Sequence, residues 1–360
     1  MNSVQSNHDA AVQRITAIFD QVREPKLNWS IAMLNLLKEV RVDDDGAHVA
    51  LNLVCDEEPK IAAFRAEALA AIASVYDGSV ELEIGHVRVA EQGVAGVGHI
   101  LLVASGKGGV GKSTVAVNLA AALSAQGLKV GLLDADITGP SVPTMLGQHG
   151  RPETVTDEQL MPVMAHGLKF LSVGSLIAPG QALDWRGQMI SGTIAQMARK
   201  TVWGKLDVLV VDMPPGTGDV HLTLASTVRA SGAVVVTTPQ EVAWSDVRRA
   251  LDQLQRQKIP VLGVVENMSL FACEACGHHN HPFPQAQRTA PPEMEMLAHL
   301  PLDAGAARDA DSGQPAVLAH PESDYARAFT DLAHRIWEKL NLSPTTNPIA
   351  KAAQEANSSA

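Results

Sequence analysis

An eight-residue stretch of the form G-x-x-x-x-G-K-S, residues 106–113, constrains this 360-residue chain more than any other feature. It follows an apolar run, residues 99–104, and precedes a stretch with helical periodicity, residues 113–126. Glycines let backbone N–H groups turn inward around a phosphate, and the N-terminus of the next helix adds the positive end of its dipole. Lys112 would supply a charge to the β- and γ-phosphates, and the hydroxyl of Ser113 would bind Mg²⁺.

This pattern in its strand–helix context predicts a site for ATP and Mg²⁺; the alternative is a glycine-rich turn without a ligand. The residues expected to contact the nucleotide are Gly106, Lys107, Gly108, Gly109, Val110, Gly111, Lys112, Ser113 and Thr114.

Short apolar runs alternate with helical stretches over most of the chain. The runs lie at residues 99–104, 129–133, 168–173, 206–211, 233–237 and 261–265. Helical stretches lie at residues 113–126, 190–203, 245–257 and 324–340. Buried strands that alternate with helices favour an α/β fold with a doubly wound, mostly parallel sheet. Ligands on such sheets bind outside the carboxyl ends of the strands.

The first 90 residues have a different pattern of predicted helices and strands. A helix is expected at residues 8–23 and another at 60–75, with an extended segment at 79–89. Between the helices, Asp43–Gly46 should form the turn of a hairpin, because Asp-Gly tolerates positive φ angles. We therefore expect a small α+β domain at 1–90, a linker at 91–98, an ATPase domain at 99–342 and a disordered tail at 343–360.

Three aspartates follow apolar strands. Asp212 ends the run LDVLVVD, which is the form of a Walker B element whose carboxylate holds Mg²⁺ directly or through water. Asp134 and Asp136 end the run KVGLLDAD, so they should lie near the same edge of the sheet. An aspartate at a strand end can also cap the next turn.

Charge and apolar content exclude several classes of protein. The net charge of −11 disfavours general binding to nucleic acid phosphates. No stretch approaches the roughly eighteen unbroken apolar residues of a membrane helix, and the first residues lack the pattern of a secretory signal. We expect a cytoplasmic protein whose partners include neither nucleic acid nor a membrane.

Cys273 and Cys276 form a C-x-x-C pair, and histidines follow at positions 278, 279 and 281. In a reducing cytosol such a pair binds a metal or acts in redox chemistry. Zinc could take two thiolates and two imidazoles, such as those of His278 and His281, from one chain. Such a zinc site would be strained, because zinc fingers separate their ligand pairs by about a dozen residues. Cys55 is expected to be a small buried hydrophobe.

A second lysine near the start of the glycine-rich loop, Lys107, is typical of the deviant-Walker ATPases, which include MinD, ParA and the nitrogenase iron protein. The stretches DADITGPS at 134–141, DMPPGTGD at 212–219, WRG at 185–187, TPQ at 238–240 and VENMS at 265–269 have a narrower similarity. Over roughly residues 99–340 the chain resembles the Mrp family of iron–sulfur cluster carriers, which belong to this class.

The resemblance implies roles for individual residues. Lys107 would reach the phosphates of the nucleotide in a partner subunit, which implies a homodimer with two ATP molecules at its interface. Asp136 matches the aspartate that orients or activates the attacking water, and Asp134 would be structural or hold a water bound to Mg²⁺. Asn267 matches a position that contacts adenine, although a buried turn-capping asparagine is the alternative. The catalytic residues would be Lys107, Lys112, Asp136 and Asp212.

The resemblance also implies a use for the cysteine pair. The C-x-x-C of each Mrp subunit supplies two thiolates, and the dimer holds one 4Fe–4S cluster. The partners would be apo iron–sulfur proteins and cluster-assembly scaffold proteins. The rival functions are a spatial-organisation ATPase of the MinD or ParA class and a nucleotide switch or scaffold that binds zinc.

Two stretches depart from the family pattern. Residues 282–292, PFPQAQRTAPP, lack the glycines that the family carries after its cysteines. The first 90 residues resemble the small domain that precedes many Mrp ATPases. At the position of that domain's acidic D-P-E motif, this chain has REPK, residues 23–26.

Overall fold

The computed structural model describes residues 2–25, 30–32, 36–53, 55, 57–86, 94–137, 139–156, 159–176, 187–216, 228–273, 275–283 and 294–342. The expected tail at 343–360 lies outside these ranges, as do residues 217–219 and 185–186 of the family-like stretches and most of the rewritten stretch at 282–292.

The N-terminal unit is a three-stranded sheet with two helices. Its elements are α1 (Asn2–Ile18), β1 (Leu37–Asp43), β2 (Gly46–Leu53), α2 (Glu58–Ala73) and β3 (Val80–His86). β1 and β2 are antiparallel with Asp43 opposite Gly46, so the expected hairpin is confirmed, and β3 runs parallel to β2. The helix expected at 8–23 instead begins at Asn2 and ends at Ile18. It ends early because Phe19, Asp20 and Gln21 each donate a backbone hydrogen bond to the residue three positions back, which tightens the chain into a turn.

The second unit is built on an eight-stranded sheet of order β15-β12-β11-β4-β10-β5-β9-β8. Its strands are β4 (Val97–Ser105), β5 (Val130–Asp134), β8 (Val163–Ala165), β9 (Leu168–Ser172), β10 (Leu206–Asp212), β11 (Gly232–Thr237), β12 (Val261–Glu266) and β15 (Met296–His299). Two small hairpins, β6–β7 (Thr154–Thr156, Gln159–Leu160) and β13–β14 (Phe271–Ala272, His279–Asn280), lie outside this sheet. Every neighbouring pair in the large sheet is parallel except β8–β9, so the α/β, doubly wound, mostly parallel fold is confirmed.

Helices cover both faces of this sheet. They are α3 (Lys112–Ala125), α4 (Val142–Met145), α5 (Gly187–Lys200), α6 (Glu241–Arg256), α7 (Ala304–Asp311), α8 (Ala316–Ala319) and α9 (Asp324–Leu340), with a 3₁₀ turn at Val173–Leu176. α3 and α9 pack on one face, whereas α5 and α6 pack on the other. Side chains of β4 alternate accordingly, with Leu101 in the first core and Leu102 in the second. Covering on both faces explains why the strands read as unbroken apolar runs.

Several expected bounds shift. Val97 and Gly98 were assigned to the linker, but Val97 pairs with Leu206 across β4 and β10 and therefore begins the sheet. β5 ends at Asp134, so Asp136 lies two residues beyond the strand rather than in it. α9 matches its expected bounds because Ser323 caps it by accepting the backbone N–H of Ala326. None of the described helices combines the length and the apolar character that crossing a bilayer requires.

Lys169 of β9 is a buried cation at the base of the sheet. Its side chain is 3% exposed, and its Nζ donates a hydrogen bond to the carbonyl of Trp203 at 2.7 Å. Burial, reinforced by the nearby charge of Lys129, lowers the pKa of Lys169 to about 7.

This lowered pKa predicts a pH-dependent stability. Between pH 7 and the ordinary lysine pKa of 10.5 the unfolded chain keeps a proton that the folded chain has released, so stability rises with pH in that window. From pH 7 to pH 9, urea unfolding should show the free energy of unfolding of the wild type rising by about 2 kcal/mol relative to Lys169→Met. Lys258→Met removes an exposed lysine and is the control, so it should keep that rise in the free energy of unfolding, whereas Lys169→Met should lose it. Parallel profiles for wild type and Lys169→Met would contradict the burial of a charge-bearing group at this position.

Candidate functional site

The glycine-rich loop connects β4 to α3 and is open on one side only. Gly111 and Gly109 have φ values of 82° and 79°, a region that side-chain-bearing residues rarely adopt. A Cβ on Gly106 would lie 2.4 Å from the backbone carbonyl carbon of Asp246, and one on Gly111 would lie 2.2 Å from Nδ2 of Asn267. A Cβ on Gly109 would meet no atom of the described residues within 4 Å. The loop is thus wedged against α6 and Asn267, while its other side forms a cradle of the kind that holds phosphate.

Lys112 lies at the centre of a buried charge cluster behind this loop. Its Nζ donates a hydrogen bond to Oδ1 of Asp212 at 2.6 Å and lies 3.4 Å from Oδ2 of Asp136. The hydroxyl of Ser113 is 3.3 Å from the same ammonium. The structure therefore brings together four of the residues singled out from the sequence: Lys112, Ser113, Asp136 and Asp212.

The oxygen donors of this cluster suit Mg²⁺. Asp212 is fully buried, and this burial raises the pKa of its carboxyl group, while the charge of Lys112 and hydrogen bonds from Lys112 and Ser113 oppose the rise. Carboxylate and hydroxyl oxygens are ligands that Mg²⁺ prefers, and it is usually held by one or two carboxylates together with substrate phosphates. Asp212 and Ser113, beside the open cradle, fit that requirement.

Asp134 braces the turn that carries Asp136. Its Oδ1 accepts the backbone N–H of Asp136 at 3.1 Å, and its Oδ2 accepts the hydroxyl of Ser172 at 2.8 Å. Ser172 in turn accepts the backbone N–H of Gly174 at 3.0 Å. Burial, followed by the charge of Asp212, raises the pKa of Asp134 to about 7. The hydrogen bonds from the Ser172 hydroxyl and the Asp136 backbone N–H act in the opposite direction and lower this pKa. The geometry supports the structural role of Asp134, and the role in holding a Mg²⁺-bound water stays a prediction.

Sequence reasoning missed Ser172. One signal was available: Ser172 is a polar residue near the end of the apolar run 168–173, where a ligand edge was expected. The run did not indicate that β9 lies next to β5, which is what places the Ser172 hydroxyl against Asp134.

Lys107 lies at the rim of the loop, apart from the buried cluster. It is half-buried, and its Nζ is 3.5 Å from Oε1 of Gln240, the residue that precedes α6. The Ser105 hydroxyl donates to the Lys107 carbonyl at 2.9 Å and fixes the backbone there. The action of Lys107 on a partner subunit stays a prediction.

Asn267 supports the loop from behind. Its Nδ2 donates to the carbonyl of Val110 at 3.0 Å, and its backbone N–H donates to the carbonyl of Thr237 at 2.8 Å. The side chain is buried, in agreement with the alternative of a structural asparagine; the contact with adenine stays a prediction. Thr114 is half-buried in the first turn of α3, where its carbonyl accepts the side-chain amide of Asn118.

The cysteine pair lies in the β13–β14 hairpin, which follows the carboxyl end of β12 and thus the same edge of the sheet as the loop. The backbone N–H of Cys273 donates to the carbonyl of His278 at 2.9 Å, and that of Gly277 donates to the carbonyl of Cys273 at 2.8 Å. These bonds close a tight turn in which Cys273 is half-buried and Cys276 is exposed. The binding of a metal or cluster by this pair stays a prediction.

The single-chain zinc site is not assembled in the part of the chain that the structure describes. No group of three or more His, Cys, Asp or Glu side chains there is arranged to hold a metal ion. Nδ1 of His281 lies 3.0 Å from the carbonyl of Ser269, and His278 is exposed. Cys55 is fully buried, as expected, and its backbone N–H donates to Oε1 of Glu24 at 2.7 Å.

Comparisons with known proteins show which family the chain is similar to. A family model described as ParA, NUBPL iron-transfer P-loop NTPase, matches residues 96–337. An iron–sulfur cluster carrier protein of Deinococcus radiodurans is 45% identical over 328 residues, which cover 89% of this chain and 93% of that protein. The Escherichia coli K12 protein of the same description is 40% identical over 329 residues, covering 88% and 89%. Among solved structures, a nucleotide-binding protein from Archaeoglobus fulgidus in complex with ADP has a TM-score of 0.56 and 37% identity, covering 65% of this chain and 92% of that chain.

The Ser172–Asp134 hydrogen bond predicts a kinetic effect. Ser172→Ala should let the Asp136 turn drift, so ATP turnover should fall about tenfold, the equivalent of about 1.4 kcal/mol, while ADP affinity stays within about twofold. Ser175→Ala is the matched control, because the buried Ser175 hydroxyl hydrogen-bonds no group that the structure describes. Steady-state turnover and ADP titration of the two variants make the comparison. Equal turnover in both variants would show that Ser172 does not position Asp136.

Proposed function

Since this chain belongs to the iron–sulfur cluster carrier family of P-loop NTPases, we propose that it hydrolyses ATP, assembles a 4Fe–4S cluster between two subunits and delivers it to apo iron–sulfur proteins. Membership confirms the resemblance carried by the sequence motifs. The observation that supports the proposal is that the residues expected at both sites follow the carboxyl ends of parallel strands. The Lys112 charge cluster and the Cys273–Cys276 hairpin both lie at the carboxyl ends of the parallel strands.

ATP hydrolysis would rest on positioning and on charge. The loop amides would hold the β-phosphate, and the Lys112 ammonium would turn from Asp212 toward the γ-phosphate oxygens. Ser113 and Asp212 would hold Mg²⁺, which neutralises the charge on the phosphates. Asp136, held by its backbone bond to Asp134, would orient the attacking water with its carboxylate.

A homodimer is the second part of the proposal. Lys107 lies at the loop rim, where it could reach a neighbouring subunit. Val242 lies two residues after Gln240, the contact of Lys107, and its side chain is 69% exposed. An apolar side chain this exposed favours a surface that a second chain covers.

The cluster is cargo, and its chemistry also requires two chains. A 4Fe–4S cluster binds four thiolates, whereas the hairpin of one chain supplies two. Cys276 is exposed at the turn, so a symmetry-related hairpin could approach it. Cluster-assembly scaffold proteins would supply the cluster, and apo iron–sulfur proteins would receive it. We place this exchange in the cytoplasm, where reducing conditions keep such thiols available for metal.

ATP hydrolysis is tested by two substitutions that should affect different steps. Lys112→Ala should weaken phosphate binding, whereas Asp136→Ala should leave ATP bound and slow its hydrolysis. Each should lower turnover by about two decades, since transition-state contacts of this type contribute about 3 kcal/mol. Phosphate release and ATP titration separate the two effects. Turnover within about twofold of wild type in either variant would exclude the assigned role.

The role of Lys107 is tested by subunit mixing. Lys107→Ala and Lys112→Ala homodimers should each be inactive. A mixed dimer should regain one competent site, because one subunit keeps Lys112 and its partner donates Lys107. Turnover should therefore recover to about half of the wild-type value in the mixed species. A mixed dimer that forms but stays as inactive as its parents would place Lys107 in its own subunit's site.

The carrier function is tested by anaerobic reconstitution with iron and sulfide. Wild type should take up four irons per dimer, with broad visible absorbance, whereas Cys273→Ser and Cys276→Ser should lose the cluster and retain ATP binding. Cys55→Ala is the control, because Cys55 is buried in the N-terminal unit and should not affect iron uptake. A wild-type monomer that holds zinc and no iron would overturn the carrier proposal and leave the ATPase proposal standing.

A further inference from the structure

A cavity of about 590 Å³ lies where the N-terminal unit meets the base of the large sheet. It is bordered by β1 and β3 of the N-terminal unit and by residues that precede β4 and β10, at the amino ends of those strands. The glycine-rich loop follows the opposite end of β4, so a full strand length separates this basal cavity from the nucleotide site. Its volume is within the range of roughly 300–1,000 Å³ that is usual for small-molecule sites.

Basic side chains converge on the basal cavity from three separate segments. Lys38 comes from β1, Arg199 and Lys200 from the last turn of α5, and Lys205 from the turn before β10. Among the described residues that line the cavity, Glu83 is the acid that opposes them. In a chain of net charge −11, such a local excess of positive charge is a marked departure from the average.

Ordinary structural roles explain part of this charge. Cations in the last turn of a helix are favoured by its dipole, which accounts for Arg199 and Lys200. Lys38 and Lys205 have no such reason to face the same space. The Nζ of Lys205 donates to the Lys38 carbonyl at 3.4 Å, and within the described residues neither lysine forms an ion pair. Gathering like charges costs energy that a bound anion would recover.

The walls of the cavity also match a binding site. The amides of Asn52 and Gln159 provide neutral polar contacts, and Leu36 and Val202 provide apolar ones. Gly96 approaches the opposite turn so closely that a Cβ there would lie 2.1 Å from the carbonyl oxygen of Gly204. A few polar groups around an apolar floor are the usual lining of a site for an organic ligand.

We propose that the basal cavity binds a small organic or inorganic polyanion, with two or more carboxylate or phosphate groups, between the N-terminal unit and the sheet. The basic side chains of Lys38, Lys200 and Lys205 supply hydrogen-bond donors and positive charge for such groups. Because the ligand contacts both units, binding it stabilises their relative arrangement. The site is separate from the nucleotide and cysteine sites.

Calorimetric titration of the full chain tests this inference. The protein is saturated with ADP in metal-free buffer, so that the glycine-rich loop is occupied, and is titrated with citrate in one arm and pyrophosphate in the other. We expect at least one probe to bind, and to bind about tenfold more weakly to Lys200→Gln and to Lys38→Gln. Lys258→Gln, which makes the same charge change at an exposed lysine outside the cavity, should bind as the wild type does.

The two arms identify the preferred anionic group, since citrate reports carboxylate and pyrophosphate reports phosphate. Circular dichroism and thermal unfolding without probe establish that the variants fold. Failure of both probes to bind wild type at concentrations up to about 10 mM would overturn the proposal. Equal affinities of Lys200→Gln and Lys258→Gln would also overturn it, because binding would then depend on overall charge and not on this cavity.

Discussion

Lys112 and Asp212 form a buried ion pair, and the other charged groups at the carboxyl edge of the sheet are arranged around it. One ammonium is shared between Asp212 and Asp136, and Asp134 lies close enough for the charge of Asp212 to raise its pKa. Charges interact strongly at this depth because little solvent screens them. The cluster therefore sets three carboxyl groups against one ammonium, an excess of acidic groups. Burial is the main cause of the raised pKa values of Asp134 and Asp212, and repulsion by a neighbouring carboxylate adds to it. A divalent cation is the group that such an excess favours.

The register of three neighbouring strands creates this cluster. β10 lies between β4 and β5, and Asp212 at its end is paired with Val103 on one side and Asp134 on the other. The glycine-rich loop leaves β4 just beyond that level and returns Lys112 toward Asp212. A shift of β10 by one residue would reverse the face of every side chain on the strand and remove Asp212 from the cluster. The two apolar cores that fix the register thus also fix the site.

The sequence was sufficient for the local elements and for the central site, and insufficient where partners are distant in the chain. The loop, the apolar strands and Asp212 each carry a short pattern with its own physical reason, and the structure assembles them as expected. Ser172 carries no such pattern, because its role depends on the adjacency of β5 and β9. β15 escaped detection for a related reason: its four residues pair with β12 alone, at the edge of the sheet. The basal cavity likewise arises from the meeting of two units that no local pattern describes.

The segment from Asn267 to Cys273 connects the residue that supports the glycine-rich loop to the C-x-x-C hairpin. Cys273 lies six positions after Asn267, and backbone hydrogen bonds from Ser269 to Leu300 and from Leu302 to Leu270 hold the five residues between them against the segment after β15. Even fully extended, six residues reach only about 20 Å. A displacement of Val110 that Asn267 follows would therefore reach the C-x-x-C hairpin through a short, hydrogen-bonded segment.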